Sequence, residues 1–339
     1  MKKKSRFGRV LLRVVGMLLS LIVLVAAVFV IVPLTERGDR TDVPGSADWM
    51  AELSDALPLE RIVLPGSHDS ATQYVQLAFF SKCQALSIGQ QLEAGCRYLD
   101  IRLGVDKHNG IFQLMHGFTN CKPAAFSLDA LYLDDMLREC YAFLAAHPTE
   151  TVLFAVKQEH GDESVEEFET MLDAYLREHP DYWLLTDTIP TLGEARGKLV
   201  LLRRYEDAAG LGERAGIPLL WDNQDGYDNT ALNTVSRDEG TYTLWVQDRY
   251  EYGTEDKWGA FCAGMYTAEE ACSGMYAAAE KTGLAINFLS TKGTATYGHP
   301  YTYARALKAS LMQQTPLSVW IVLDFFSDRL AEHIYTTNF

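Results

Sequence analysis

The stretch QLEAGCRYLDIRL, residues 91–103, holds a short apolar run, Tyr98 to Leu103, whose only charges are Asp100 and Arg102. Seven other runs of the same apolar or β-branched kind stand along the chain: Arg61 to Leu64, Ile111 to Met115, Thr151 to Val156, Lys198 to Leu202, Leu244 to Gln247, Leu284 to Leu289 and Ser318 to Leu323. Runs this short read as buried strands, and eight is the number that closes an α/β barrel. Several of the gaps between them carry helical spacing. In Leu128 to Ala146 the residues Leu131, Met136, Leu137, Cys140 and Leu144 mark one apolar face, and Val165 to Glu178, Glu269 to Lys281 and Tyr303 to Met312 are patterned alike. Strand and helix in alternation imply a parallel sheet with right-handed crossovers. The gap between the second and third runs is too short for a helix. The expected class is therefore α/β, an irregular (β/α)8 TIM-type barrel.

Polar residues follow the runs in a regular way. His68-Asp69 comes after the first, Asp100 and Arg102 lie in the second, and His116-Gly117 ends the third. Lys157 and Glu159 end the fourth, Arg203-Arg204 the fifth, Asp248 and Tyr250 the sixth, Ser290 the seventh and Asp324 the eighth. In a parallel barrel such positions converge on the carboxyl-end face, where barrel enzymes keep their sites. A structural ion-pair network would explain a few of them, but not charges at nearly every strand end. Arg102 and Arg204 offer planar donors suited to a phosphate. His68 and His116 are the only histidines that follow strand runs, and two imidazoles near neutrality supply a base and an acid. Base, acid and phosphate clamp together describe phosphoryl transfer without a metal, and a hydroxyl beside the phosphate can be the nucleophile. A Ser67-His68 hydrolase is disfavoured, because adjacent residues seldom form the needed hydrogen bond and no GxSxG elbow is present. The other six histidines, at 108, 147, 160, 179, 299 and 333, read as surface residues.

These motifs resemble a known family. LPGSHDSAT at 64–72, QLEAGCRYLDIRL at 91–103 and MHG at 115–117 are similar to the X-domain signature of bacterial phosphatidylinositol-specific phospholipase C. TETVLFAVKQEH (149–160), ARGKLVLLRRY (195–205), WVQDRY (245–250), INFLS (286–290) and WIVLDFF (320–326) follow in the family's order. The resemblance implies an imperfect (β/α)8 barrel that cleaves phosphatidylinositol, or a glycosylated inositol lipid, to diacylglycerol and inositol 1,2-cyclic phosphate. It implies His68 as general base, Asp324 as the carboxylate orienting it, His116 as general acid and Asp69 as its support. Arg102 would be the phosphate clamp with Asp100 beside it, and Lys157, Arg204, Asp248 and Tyr250 would bind the inositol. The calcium-dependent branch holds a metal where Arg102 stands, so the resemblance implies no metal and no other cofactor. Gln158 departs from the pattern at a place where a second basic residue is expected.

The first thirteen residues hold six basic side chains and no acid, and the nineteen from Val14 to Val32 are uncharged and apolar. At 1.5 Å per residue that run spans a bilayer core of about 30 Å. It reads as an uncleaved single-pass anchor with residues 1–13 inside the cell and the catalytic part outside; a cleaved signal peptide and a secreted enzyme are the alternative. Residues 33–50 read as an exposed linker and 51–339 as the barrel. Beyond the basic segment, 24 Lys and Arg face 45 Asp and Glu, a formal charge of −21 that argues against a nucleic-acid partner. Membrane lipid must then be reached through the anchor, local basic residues or an apolar rim; Tyr74 to Phe80, with Phe79 and Phe80 as the contact residues, is the expected rim, and a helix covering the barrel's end is the alternative reading of that stretch. Six cysteines in an oxidising space allow fifteen complete pairings, of which Cys83 with Cys121 and Cys262 with Cys272 are favoured. Two other readings stand beside the lipase. A glycerophosphodiesterase on the same barrel needs an HRG opening that is missing here, and a silent inositol-lipid or glycan binding domain needs no acid-base pair.

Overall fold

The structure, a computed structural model, describes residues 6–36, 42–224, 235–239, 242–275, 282–294, 298–315 and 319–339. In chain order the elements are α1 (Arg6–Thr35), β1 (Leu64–Ser67), α2 (Ala78–Ser81), α3 (Ile88–Glu93), β2 (Tyr98–Asp106), β3 (Ile111–His116), β4 (Thr119–Asn120), α4 (Leu133–Ala146), β5 (Val152–Gln158), α5 (Val165–Glu178) and β6 (Trp183–Leu184). There follow α6 (Leu192–Ala195), β7 (Leu199–Arg203), β8 (Ile217–Pro218), β9 (Val235–Glu239), β10 (Tyr242–Gln247), α7 (Thr254–Met275), β11 (Thr282–Phe288), α8 (Pro300–Leu311), β12 (Trp320–Leu323) and α9 (Asp328–Tyr335).

Eight strands run parallel in the spatial order β8-β7-β5-β2-β1-β12-β11-β10. The apolar runs of β5, β7 and β12, rich in Val, Leu and Ile, are what a sheet buried on both faces requires. The sheet curls into an irregular barrel, but among the described residues no pairing joins β8 to β10. Instead β9 runs antiparallel along the far side of β10, and β6 shares the edge of β7 with β8.

One of the eight expected strands is therefore not a stave, and an unexpected strand takes its place. The third run, β3, is no barrel stave: it folds back antiparallel on the extended end of β2, because the short gap after Asp106 permits only a hairpin. The missing stave is the two-residue β8, too short to leave a pattern in the sequence. Three of the four expected helices differ in their bounds, the third by fifteen residues at its start. The first starts at Leu133, the third spans Thr254–Met275 and the last starts at Pro300, while Val165–Glu178 agrees at both ends. Residues 276–281 of the expected third helix lie outside the described ones. A capping box explains the sharp start of α5, since Ser164 and Glu167 satisfy each other's backbone N–H groups.

The segment read as an exposed linker is neither wholly linker nor exposed. The helix α1 continues through Pro33 to Thr35, and Ser46–Glu52 forms 3-10 turns beneath the barrel. There Trp49 stacks on Tyr335 at 5.0 Å, and the buried Arg97 guanidinium donates to Ala47 O and Glu150 Oε2, each at 2.7 Å. No local period announces such turns, because their partners are distant in sequence. Cys83 and Cys121, expected to be bridged, are separate buried thiols. Cys262 is also free, and the side chain of Cys272 lies outside the described ones.

Candidate active site

Side-chain alternation decides what faces the barrel's interior. The register pairs Leu64 with Trp320, Gly66 with Val322 and with Tyr98, and Ala155 with Leu202. Counting on by twos from these residues reaches His68, Asp100 and Arg102, Lys157 and Glu159, Arg204 and Asp324. The same count on β10 and β11 reaches Asp248 and Ser290. All of these share the parity of the interior; Asp69 does not, and its left-handed backbone departs from strand alternation. Gly66 is needed for this, because a Cβ there would meet the Tyr98 Cβ at 2.8 Å. His116 arrives by another route. With Leu103 opposite Leu114, continuing the antiparallel register sets His116 level with Ile101, between Asp100 and Arg102.

These groups open on one cavity of about 680 Å³, lined among others by His68, Arg102, His116, Lys157, Arg204 and Asp324. Asp69 and Asp100 lie fully buried in its floor. Hydrogen bonding separates the two histidines. His68 Nδ1 lies 2.8 Å from Asp324 Oδ1, so it carries the proton, while its Nε2 accepts from Arg102 Nη2 at 2.9 Å. His116 Nδ1 donates to the carbonyl of Ser81 at 2.8 Å, and its Nε2 faces Asp69 Oδ2 at 3.3 Å. The same Asp69 oxygen is 3.3 Å from His68 Nε2, so one buried carboxylate stands between the two ring nitrogens. Asp69 holds that place with φ +43°, a left-handed backbone that Asp tolerates better than most residues.

Arg102 is fixed from three sides, by Asp69 at 2.9 Å, Asp100 at 3.0 Å and Glu159 at 3.2 Å. Burial opposes its charge, but these carboxylates outweigh burial and hold the guanidinium well above its ordinary pKa. For Asp100 burial likewise favours the neutral acid, and Arg102 and Arg204 overcome it, so the carboxyl is held well below the usual range. His68 is desolvated, which favours the neutral ring, yet the charges of Asp69 and Asp324 raise its pKa above that of a free imidazole.

On the other side of the cavity, Arg204 bonds Asp100 at 3.2 Å and lies 3.9 Å over the Trp221 ring, whose Nε1 donates to Asp248 at 3.2 Å. The Tyr250 hydroxyl donates to Asn223 at 3.1 Å. Gln158 has the opposite parity and donates to Glu163 O, so its amide is turned away from the cavity.

Three residues had no role in the site assigned from the sequence: Glu159, seen only as a strand-end carboxylate, Cys83 and Trp221. Glu159 binds Arg102, Lys157 Nζ at 2.6 Å and the Gly117 N–H at 2.9 Å; its spacing of two from Lys157 was the available signal. Cys83, 3.9 Å behind His116, and Trp221, after the unrecognised β8, gave none. Among the described residues one group, His68, Asp69 and Cys83, is close enough to share a metal ion. Arg102 already stands 2.9 Å from both His68 Nε2 and Asp69 Oδ1, and a single carboxylate with a thiol and an imidazole is a poor set for calcium. Of the histidines read as surface residues, His108, His160 and His179 are exposed, whereas His147, His299 and His333 are half-buried.

Phe79 and Phe80 do not form the bare rim expected of them. Both pack against Phe29 of α1, with centroids 4.9 and 5.6 Å away, and Phe79 also stacks on His299 at 4.1 Å. The exposed apolar side chains near the mouth are Leu77 (59% exposed), Phe118 (63%), Phe126 (76%) and Leu128 (96%).

Comparison with known proteins agrees with this geometry. The 1-phosphatidylinositol phosphodiesterase of Staphylococcus aureus strain Newman is 26% identical over 302 residues, covering 82% of this chain and 88% of that one. The protein of the same name from Listeria monocytogenes is 32% identical over 167 residues, 45% of this chain and 47% of that one. A solved structure of a Staphylococcus aureus phosphatidylinositol-specific phospholipase C variant superposes with a TM-score of 0.68 at 21% identity, covering 86% and 97% of the two chains. The Listeria monocytogenes enzyme gives 0.61 at 22% identity, covering 87% and 99%. Residues 57–205 match the family model described as phosphatidylinositol-specific phospholipase C, X domain, and over that segment the chain is similar to this family.

Proposed function

We propose that the chain is a metal-independent phosphodiesterase that cleaves phosphatidylinositol, or a glycosylated inositol lipid, to diacylglycerol and inositol 1,2-cyclic phosphate. The observation that carries this is the different hydrogen bonding of the two histidines around one fixed guanidinium. His68 presents a lone pair at Nε2 and His116 presents a protonatable Nε2, with Arg102 and Asp69 between them. In this reading His68 takes the proton of the inositol 2-hydroxyl as its oxygen bonds to phosphorus. The bond from phosphorus to the glycerol oxygen breaks, and His116 protonates that oxygen. Asp324 holds the His68 tautomer and stabilises the imidazolium that forms. Arg102 neutralises the charge that grows on the phosphoryl oxygens. Arg204, Asp248, Lys157 and the face of Tyr250 receive the inositol hydroxyls. The purified protein with phosphatidylinositol and EDTA should release diacylglycerol and the cyclic phosphate at the rate seen without EDTA. A rate lost to EDTA and restored by calcium would overturn the metal-independent reading.

The raised pKa of His68 has a sign that can be checked. The base must be neutral, so the acid limb of the kcat/KM profile should lie above pH about 6.5. Asp324→Asn removes an anion that favours the protonated ring, and the limb should move down. A limb that stays or rises in this variant would show that another group sets it.

The anchor α1 is proposed to hold the barrel at the outer membrane surface, with Leu77, Phe118, Phe126 and Leu128 as the side chains that enter lipid. Burying each contributes about 1.5 to 3 kcal/mol. Phe126→Ser with Leu128→Ser should weaken association with phosphatidylcholine vesicles when residues 1–40 are removed, and leave hydrolysis of soluble cyclic inositol phosphate within about twofold. Loss of both together with a lowered Tm would place these side chains in the fold instead.

A further inference from the structure

A second cavity, of about 590 Å³, lies between α1 and the mouth of the barrel. Phe29, Val30 and Leu34 of the helix form one wall, and Val75, Ala125 and Phe126 contribute to the other. Its volume falls in the range of small-molecule sites, roughly 300 to 1,000 Å³. It adjoins the catalytic cavity, because Leu77 and Phe80 line both.

The helical wall is fastened at its end. The buried Lys82 ammonium donates to the carbonyls of Pro33 at 2.7 Å and Glu36 at 3.2 Å, which are free to accept because the helix ends there. The buried Glu36 carboxylate in turn meets His299 Nε2 at 2.5 Å. Burial lowers the Lys82 pKa and the Glu36 charge opposes this, as expected of a polar clamp enclosed on all sides. Phe29, Phe79 and Phe80 close the apolar part of the joint.

We propose that this groove receives an acyl chain of the lipid whose headgroup occupies the catalytic cavity. The inference rests on the phosphodiesterase reading above and names where the rest of that substrate goes. The occupant follows from position and chemistry. Gly8–Thr35 is long and apolar enough to cross a membrane, so a groove against its last turns opens where the helix leaves the bilayer. A lipid drawn up by its phosphate leaves its chains next to Leu77 and Phe80, and the groove begins there. Phe126 and Leu128, at the outer lip, are exposed and apolar, so a chain passes from bilayer to groove without meeting water.

The test uses the full chain carrying His116→Ala, which slows turnover by about 10²- to 10⁴-fold, reconstituted in phosphatidylcholine vesicles. The probes are phosphatidylinositol and phosphatidylcholine, each with a diazirine at the end of one acyl chain. The expected result is that the inositol probe labels residues 29–34 and 125–128, and that excess inositol 1,2-cyclic phosphate lowers this labelling at least about fivefold. The phosphatidylcholine probe should label α1 without such displacement. Equal labelling by both probes, unaffected by the soluble headgroup, would mean ordinary bilayer contact and would overturn the inference. In the otherwise unaltered chain, Ala125→Trp fills the groove and should lower the rate on vesicle phosphatidylinositol relative to soluble cyclic phosphate at least about tenfold; an unchanged ratio would also count against it. If the unaltered chain cleaves no phosphatidylinositol at all, the functional reading fails instead.

Discussion

Alanine in place of His116 is expected to lower turnover of phosphatidylinositol by about 10²- to 10⁴-fold while leaving the barrel folded. The ring sits at the cavity lip on β3, outside the eight staves, and its removal deletes only the Ser81 bond and the contact with Asp69. Its task is confined to the leaving oxygen, so the defect should depend on the leaving group. A phosphoinositol ester of an acidic phenol, whose oxygen departs without a proton, should recover most of the lost rate. His68→Ala removes the base that the attacking hydroxyl needs, and the same ester should not rescue it. If both variants responded alike, the assignment of base and acid from their hydrogen bonds would be wrong. Unaltered melting curves would separate either result from misfolding.

Arg102→Lys should be the second severe change, about 10²- to 10³-fold in kcat, the cost typical of losing one preorganised donor at a developing charge. The guanidinium is held by Asp69, Asp100 and Glu159 while it also meets His68. An ammonium on a flexible stem keeps the charge but cannot span three carboxylates and a phosphate in one plane. Those carboxylates are buried, so the variant should also melt earlier, and Arg102→Ala earlier still, because removing the cation leaves buried anions uncompensated. Measuring kcat and Tm on both variants checks the two effects together. A lysine variant with near-normal kcat would mean that Arg102 serves the fold and that another donor holds the phosphate.

The sequence carried the barrel because its staves are apolar runs with a polar residue on the interior parity just past each end. That logic recovered His68, Arg102, Lys157, Arg204, Asp248 and Asp324 as neighbours. It did not reveal that β3 turns back, since a strand's direction is set by its pairing partner and not by its own side chains. It also missed β8, whose two residues are too few for any period, and with it Trp221 beside Arg204. Glu159 was seen at a strand end but its task was not, because a carboxylate beside a phosphate site looks repulsive until the three-sided hold on Arg102 is known. The Lys82, Glu36 and His299 clamp joins residues distant in sequence, and Phe79 and Phe80 looked like a bare rim for the same reason.

Among the described residues no pairing joins β8 to β9, which leaves the sheet two margins, and amide exchange should report them as a gradient. The N–H groups of β2 and β5, paired on both sides, should exchange slowest, and those of β8 and β9, each with one partner, fastest. Trp221 follows β8 and Tyr250 follows β10, so a headgroup held between them would bridge the gap that no backbone pairing spans. Exchange along β8 should then slow when the soluble headgroup is added, with the ligand's own ring acting as the missing rung of the ladder.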